Sequence, residues 1–161
     1  MKNTFLPTFL SLGEANGVRI GSRESDIVTH CGTPESVGER SIMPKGSDVW
    51  GYAKTSIQFG LYHGEVSFIA IYCVNRSEIR LPELFGGGSL EIHDGTSPDE
   101  YVALLNHYGI NFEQRNDERG AGLILSSTGV LAVFDTEEHY MEKLILDPTF
   151  SFPTLNTSLS V

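Results

Sequence analysis

One succession of predicted elements occurs twice along this chain: a helix, a polar stretch and three strands. When the two predicted helices are superposed, Ile27 aligns with Leu104, and a slightly different offset aligns Phe59 with Phe134 in the strands that follow. Apolar residues recur at helical spacing in the first element and alternate in the others. We therefore predict an α+β fold of two tandem modules, each a helix followed by a three-stranded antiparallel sheet.

The second predicted helix carries the clearest local signals. Ser97 and Glu100 have the spacing of a capping box, and Pro98 occupies the first helical position. Apolar side chains then recur at helical spacing before a glycine: Tyr101, Leu104, Leu105, Tyr108 and Gly109. This spacing predicts a helix that buries one face and ends at the glycine.

Three strands are predicted in each half from apolar and β-branched runs that turn residues interrupt. They cover residues 49–53, 55–61 and 65–74 in the first half, and residues 121–126, 130–134 and 140–146 in the second. Tyr62-His63-Gly64 is the predicted turn between the last two strands of the first half.

The composition divides the chain into three parts. Residues 1–81 form a predicted N-terminal helix-plus-sheet module with an apolar N-terminal arm, residues 82–88 a Gly-rich joint, and residues 89–161 an acidic second helix-plus-sheet module with a C-terminal tail. The arm, residues 5–12, lacks the basic flank and cleavage site of a secretory signal, so we predict a buried strand or an apolar arm. Two cysteines in apolar patterns are predicted to be reduced core thiols of a cytoplasmic protein: Cys31 and Cys73.

The charge of the chain is one-sided. Its net charge is −10, and all of it lies in residues 81–161, because residues 1–80 contain as many basic as acidic side chains. This balance disfavours binding to a nucleic-acid backbone and predicts electrostatic steering of a basic protein. An ordinary solubilising surface is the alternative. The predicted contact residues in the acidic half are Asp117, Glu118, Glu137 and Glu138.

Aromatic residues are frequent in the strands of the first half. Strand alternation suggests that several of them share an open sheet face, where large rigid rings are typical of binding hot spots. The predicted anchors are Trp50, Tyr52, Tyr62, Phe68 and Tyr72. The alternative is that these rings pack under a terminal segment or at the joint between the halves.

No catalytic, cofactor or metal site is predicted. The five histidines lack metal-ligand spacing, no serine lies in a Gly-x-Ser-x-Gly elbow, and the Gly-rich joint lacks the lysine of a phosphate loop. The longest apolar run, residues 66–74, is far below the roughly 20 residues of a membrane span. We therefore expect no cofactor and no membrane partner.

The first half resembles the helical opening and strand section of the SmpA/OmlA outer-membrane lipoproteins. The resemblance is carried by Gly21-Ser22, Asp26-Ile27, Gly32-x-Pro34-Glu35, Trp50-x-Tyr52 and Gly64-x-Val66-x-x-Ile69. The second half departs from this pattern, with Gly109-Ile110-Asn111 and no Trp-x-Tyr. Two such modules in one chain are similar to the β-lactamase inhibitory protein architecture, which implies a concave protein-binding surface. Bacterial immunity proteins of this build neutralise toxins.

Together these features predict a protein-binding inhibitor that is not an enzyme. The most specific hypothesis is an immunity protein that neutralises a basic bacterial toxin or effector domain by stoichiometric occlusion. A small enzyme or ligand-binding protein with a site between the modules is the alternative. An envelope scaffold is a third possibility, although the chain lacks a lipobox and a signal.

Overall fold

A single antiparallel sheet with helices on one side forms the body of the protein. The computed structural model of the chain describes residues 5–39, 47–52, 56–73, 92, 95–137 and 140–152. The helices of this part are α1 (Phe5–Leu12), α2 (Glu24–Cys31) and α3 (Pro98–His107). The strands are β1 (Ser36–Glu39), β2 (Ser47–Tyr52), β3 (Ile57–Tyr62), β4 (Glu65–Tyr72), β5 (Phe112–Asn116), β6 (Gly122–Ser126), β7 (Val130–Phe134) and β8 (Met141–Leu146).

All eight strands belong to one sheet with the order β1-β2-β3-β4-β8-β7-β6-β5. The two halves of the chain meet where β4 pairs with β8, with Ile69 opposite Leu146 and Tyr72 opposite Lys143. The predicted fold of two tandem modules, each with its own three-stranded sheet, is therefore wrong. The physical reason is that two separate sheets would leave β4 and β8 with unpaired backbone groups, whereas their pairing satisfies both edges.

Each half also contains a fourth strand that the sequence did not indicate. Strand β1 pairs with β2, and strand β5 pairs with β6, so β1 and β5 form the two outer edges of the sheet. Their sequences, SVGE and FEQRN, lack a clear apolar alternation because both lie at an edge. The predicted Gly-rich joint, residues 82–88, lies outside the described residues, as does much of the boundary between the predicted modules.

The capping box of α3 confirms the local signals of the sequence. The Ser97 hydroxyl accepts a hydrogen bond from the Glu100 backbone N–H at 3.2 Å, and the Glu100 carboxylate accepts one from the Ser97 N–H at 2.8 Å. Pro98 occupies the first turn, and Leu104 and Leu105 are buried. The predicted hairpin turn at Tyr62-His63-Gly64 is likewise present between β3 and β4.

The apolar N-terminal arm is a helix rather than a strand. Phe9 and Leu10 of α1 are fully buried, and the Leu10 carbonyl accepts a hydrogen bond from the Thr128 hydroxyl at 2.6 Å. Pro7 is tolerated because it lies in the first turn, where its missing N–H would have no intrahelical partner. The arm thus attaches the beginning of the chain to the turn between β6 and β7 in the second half.

The helices cover one side of the sheet, which we call the helix face. Its core joins Phe9, Leu10, Ile27, Tyr101 and Leu105 from the three helices to inward-facing strand residues. Those strand residues are Tyr52, Ile57, Phe59, Leu61, Val66, Ile69, Ile71, Ile124, Val130, Ala132, Phe134, Met141, Leu144 and Leu146. Because side chains alternate along a strand, the residues between them project to the other side, the open face.

Tyr101 places a hydroxyl in the core that has no hydrogen-bond partner among the described residues. Burial, and after it the nearby Cys73, raise the pKa of the Tyr101 phenol above its ordinary value. Removing an unpaired buried hydroxyl removes a desolvation cost, so we expect Tyr101→Phe to leave the free energy of unfolding at neutral pH unchanged or higher. As a matched control, Tyr52→Phe should lose about 0.5–1.5 kcal/mol, because the Tyr52 hydroxyl donates to the Gly32 carbonyl at 2.8 Å.

The raised pKa of Tyr101 predicts that the free energy of unfolding depends on pH differently in wild type and in Tyr101→Phe. A phenol whose pKa is raised in the folded state stabilises that state fully below the unfolded pKa of about 10, and this contribution is lost as the pH rises above it. Wild-type protein should therefore lose stability above about pH 10 more steeply than Tyr101→Phe. Urea unfolding between neutral and alkaline pH measures the difference. Parallel curves for the two proteins would contradict the buried, neutral phenol.

Candidate functional site

The predicted aromatic anchors do not share one face of the sheet. Trp50 lies opposite Phe59, and Tyr52 lies opposite Ile57, so both rings project to the helix face. Tyr52 is buried, its ring meets the Phe59 ring edge-on at 5.9 Å, and burial followed by the nearby Cys31 raises its pKa. Tyr52 thus connects α2 to the sheet, and Trp50 packs half-buried against the core.

The other three anchors project to the open face, but in different settings. Tyr62 is exposed at the end of β3, and Tyr72 is half-buried at the opposite end of the neighbouring strand β4. Phe68 is buried, and its ring fills the space beside Gly60, where any side chain would collide with it. The structure therefore separates Trp50 and Tyr52 from Tyr62, Phe68 and Tyr72, because the register of β2 against β3 determines their face.

The open face is apolar across the junction of the two halves. Its apolar residues, besides Phe68 and the bordering Tyr72, are Val49, Ala70, Leu123, Leu125, Leu131, Val133 and Ile145. Four of them form a continuous row over β4, β8, β7 and β6: Ala70, Ile145, Leu131 and Leu125. Phe68, Ala70 and Leu131 are buried in this face, whereas Leu123, Leu125, Val133 and Ile145 are partly exposed.

A second row of the open face is mixed in character. It contains Tyr72, Lys143, Val133, Leu123 and Arg115, each opposite the next across the sheet. The Lys143 ammonium lies 3.6 Å from the Glu142 carboxylate, and the Arg115 Nε donates to the Glu113 carboxylate at 2.8 Å. The apolar row is therefore bordered by one aromatic side chain and two cations.

The acidic residues predicted from the charge distribution meet at one end of the sheet. The β5–β6 turn contains Asp117 and Glu118, and the β7–β8 turn contains Glu137. Both turns lie at the same end because β6 and β7 are antiparallel neighbours. The fourth predicted residue, Glu138, lies outside the described residues. We call the two turns with Asp117, Glu118, Asp135 and Glu137 the acidic end.

Two carboxylates of the acidic end accept hydrogen bonds within their own turns, and two others are exposed to solvent. Asp117 accepts hydrogen bonds from the backbone N–H groups of Arg119 and Ala121, both at 2.8 Å, so it stabilises its own turn. Asp135 likewise accepts one from the Glu137 N–H at 3.1 Å. Glu118 and Glu137 are exposed and extend the negative charge towards solvent. A partner would therefore meet these two glutamates without disturbing either turn.

A C-terminal segment that the sequence did not indicate reaches the open-face side of β5. The Arg115 guanidinium lies 4.8 Å from the centre of the Phe152 ring, and the Phe150 and Phe152 rings are 5.6 Å apart. The spacing Phe-x-Phe after Pro148 was the available signal. It could not be interpreted without knowing that β5 carries Arg115 on this face.

The two cysteines do not form a disulfide bond in this structure, and Cys31 is half-buried while Cys73 is buried. Burial raises the pKa of the Cys31 thiol, which keeps it in the unreactive protonated form at neutral pH. We expect Cys31 to react with Ellman's reagent more slowly than free cysteine, and Cys73 to react only after unfolding.

A reducing agent should leave the melting temperature unchanged. A lower melting temperature on reduction would instead reveal a disulfide bond.

The described residues provide no group of three or more histidine, cysteine or acidic side chains arranged to hold a metal ion. No helix in the described ranges has the length and apolar character needed to cross a membrane. The open face and the acidic end beside it are the candidate site.

Among known proteins, no family model and no curated protein matches the chain. A solved structure of an extracellular protein containing an SCP domain, from Bacillus anthracis str. Ames, is similar with a TM-score of 0.44 and 12% sequence identity. The match covers 80% of this chain and 44% of that one, so the chain spans less than half of that protein's length. A TM-score this low carries no argument about function.

Proposed function

We propose that the chain is a protein-binding inhibitor that uses the open face of its sheet. The observation that carries this proposal is the apolar row of Ala70, Ile145, Leu131 and Leu125, in which Ile145 and Leu125 are partly exposed while Ala70 and Leu131 are buried. Extended apolar surfaces bordered by polar residues are typical of protein interaction sites. A sheet holds such a surface rigid, which lowers the entropic cost of binding.

The acidic end supports a basic partner. Glu118 and Glu137 are exposed beside the open face, and the second half of the chain contains the whole net charge of −10. Complementary charge accelerates association and discriminates against acidic competitors. The partner that fits is a protein with a basic surface around an apolar centre.

Within this class, we propose an immunity protein that neutralises a bacterial toxin domain by stoichiometric occlusion. A basic catalytic cleft, such as that of a nuclease-type domain, would present the required charge. A cytoplasmic location belongs to the same proposal.

The first experiment tests the surface and the inhibition together. A partner that co-purifies with the tagged chain is expressed alone, its enzymatic activity is measured, and the chain is titrated into the assay. We expect inhibition that is complete at one equivalent. Ile145→Lys should weaken binding at least tenfold, because it introduces a positive charge into the apolar row towards a basic partner. Leu12→Lys is the control, since Leu12 is 73% exposed on α1.

Melting temperatures of both variants establish that they are folded. Equal weakening by the two substitutions, or a partner whose activity the chain leaves unchanged, would contradict the proposal.

The second experiment tests electrostatic steering. Glu118→Gln with Glu137→Gln should lower the association rate and reduce its dependence on salt, while the dissociation rate changes little. Asp117 is left intact because it stabilises its turn. Glu24→Gln with Glu65→Gln removes the same charge from exposed positions in the first half and is the control. Identical association rates for both pairs would mean that the acidic end only solubilises the chain.

A further inference from the structure

We infer that residues 147–152 of the chain occupy part of the open face as a displaceable substitute for a partner segment. This inference deepens the proposed function, on which the exchange with a partner rests. It identifies the kind of segment that the face accepts: an extended peptide with aromatic residues at alternate positions. The chain itself provides the first such peptide in Phe150 and Phe152.

The segment runs from the centre of the sheet to one of its edges. Strand β8 ends at Leu146 in the centre of the sheet, whereas Phe152 lies against Arg115 of the edge strand β5. Strands β7 and β6 lie between β8 and β5. Arg115 projects to the open face, since it lies opposite Leu123 in the mixed row. The segment therefore reaches the far side of this face within six residues.

In the described residues, the segment is attached to the sheet by side-chain contacts. Its described backbone hydrogen bonds close its own turn: the Phe150 N–H donates to the Asp147 carbonyl at 3.1 Å, and the Thr149 N–H donates to the Asp147 carboxylate at 2.9 Å. Residues 150–152 are not part of a strand. The contacts described between this segment and the sheet are made by rings rather than by a hydrogen-bonded ladder, which allows exchange.

The contact between the segment and β5 joins an arginine guanidinium to aromatic rings. The ion pair with Glu113 fixes the Arg115 guanidinium so that its flat side is available to an aromatic ring. The Phe150 and Phe152 rings meet edge-on with their centres 5.6 Å apart, so both belong to one aromatic pair beside Arg115. Phe150 remains 36% exposed, so its ring is only partly used by the protein itself. A partner segment with the pattern aromatic-x-aromatic could take over both positions.

A labelled synthetic peptide with the sequence of residues 147–156 provides the probe. Fluorescence anisotropy measures its binding to three full-length proteins: wild type, Phe150→Ser with Phe152→Ser, and that double variant with Arg115→Gln added. We expect the double variant to bind the peptide at least tenfold more tightly than wild type, because its own segment no longer competes. Adding Arg115→Gln should abolish this gain, whereas Arg119→Gln, an exposed arginine in the β5–β6 turn, should not.

Equal affinities of wild type and the double variant would overturn the inference. So would a large fall in the melting temperature of the double variant without a gain in peptide binding, since the segment would then be a permanent part of the fold. Size-exclusion chromatography identifies an exchange of segments between two copies, which would also overturn it. None of these results depends on a partner, so the proposed function stands or fails separately on the Ile145→Lys experiment.

Discussion

Replacement of Phe59 by alanine should lower the free energy of unfolding by about 3–5 kcal/mol, the cost of truncating a fully buried phenylalanine. The Phe59 side chain is 0% exposed and lies on the helix face between Trp50 of β2 and Ile69 of β4. Its removal leaves a cavity beside the Tyr52 ring, which is itself held by its hydrogen bond to Gly32. The structure around the cavity therefore has little freedom to collapse.

Urea unfolding measures this loss, with Tyr62→Ala as the control. Tyr62 belongs to the same strand but is 41% exposed and projects to the open face. Its truncation should cost well under half as much. A Phe59→Ala protein that unfolds at the wild-type urea concentration would contradict the assignment of the helix face as the core.

Replacement of Gly60 by alanine should cost about 1–3 kcal/mol, the usual penalty for overfilling a packed site. A Cβ atom at this position would collide with the Phe68 ring, which lies flat across the glycine. The ring would have to leave its position on the open face. Because both residues lie in the same cross-strand pair, the penalty should disappear when the ring is also removed.

A double-mutant cycle tests this coupling. The protein with Gly60→Ala and Phe68→Ala should be about as stable as Phe68→Ala alone, so the two single costs should not add. Gly38→Ala is the control, since no heavy atom lies within 4 Å of the position of its Cβ. Additive costs in the cycle would show that Phe68 does not depend on Gly60 for its position.

The elements that could be predicted are those whose signals are local. The capping box of α3 brings its own two hydrogen bonds within four consecutive residues, so Ser97 and Glu100 predict it before any tertiary contact is known. Six of the eight strands likewise occur within a few residues of their predicted positions. The edge strands β1 and β5 were missed because an edge strand needs no continuous apolar pattern.

The candidate site was less predictable than the fold. Of the two hairpin turns that form its acidic end, the sequence indicates only the one between β7 and β8, and the antiparallel pairing of β6 and β7 brings the two turns to the same end. The aromatic anchors were assigned to one face from alternation within each strand. Alternation determines which residues of one strand project to the same face, but it does not say how two strands are aligned. A shift of one residue in the register between two strands moves the side chains of one of them to the opposite face.

The sequence by itself determined α2, α3 and six of the eight strands, where the charge lies and which residues alternate, because each of these depends on neighbours within a few positions. Only the tertiary structure decided that β4 and β8 join the halves into one sheet, and that Trp50 and Tyr52 face the helices. It also decided that Phe152 meets Arg115. These outcomes depend on pairing between residues that are distant in the chain, where backbone hydrogen bonds and burial act together across the whole sheet.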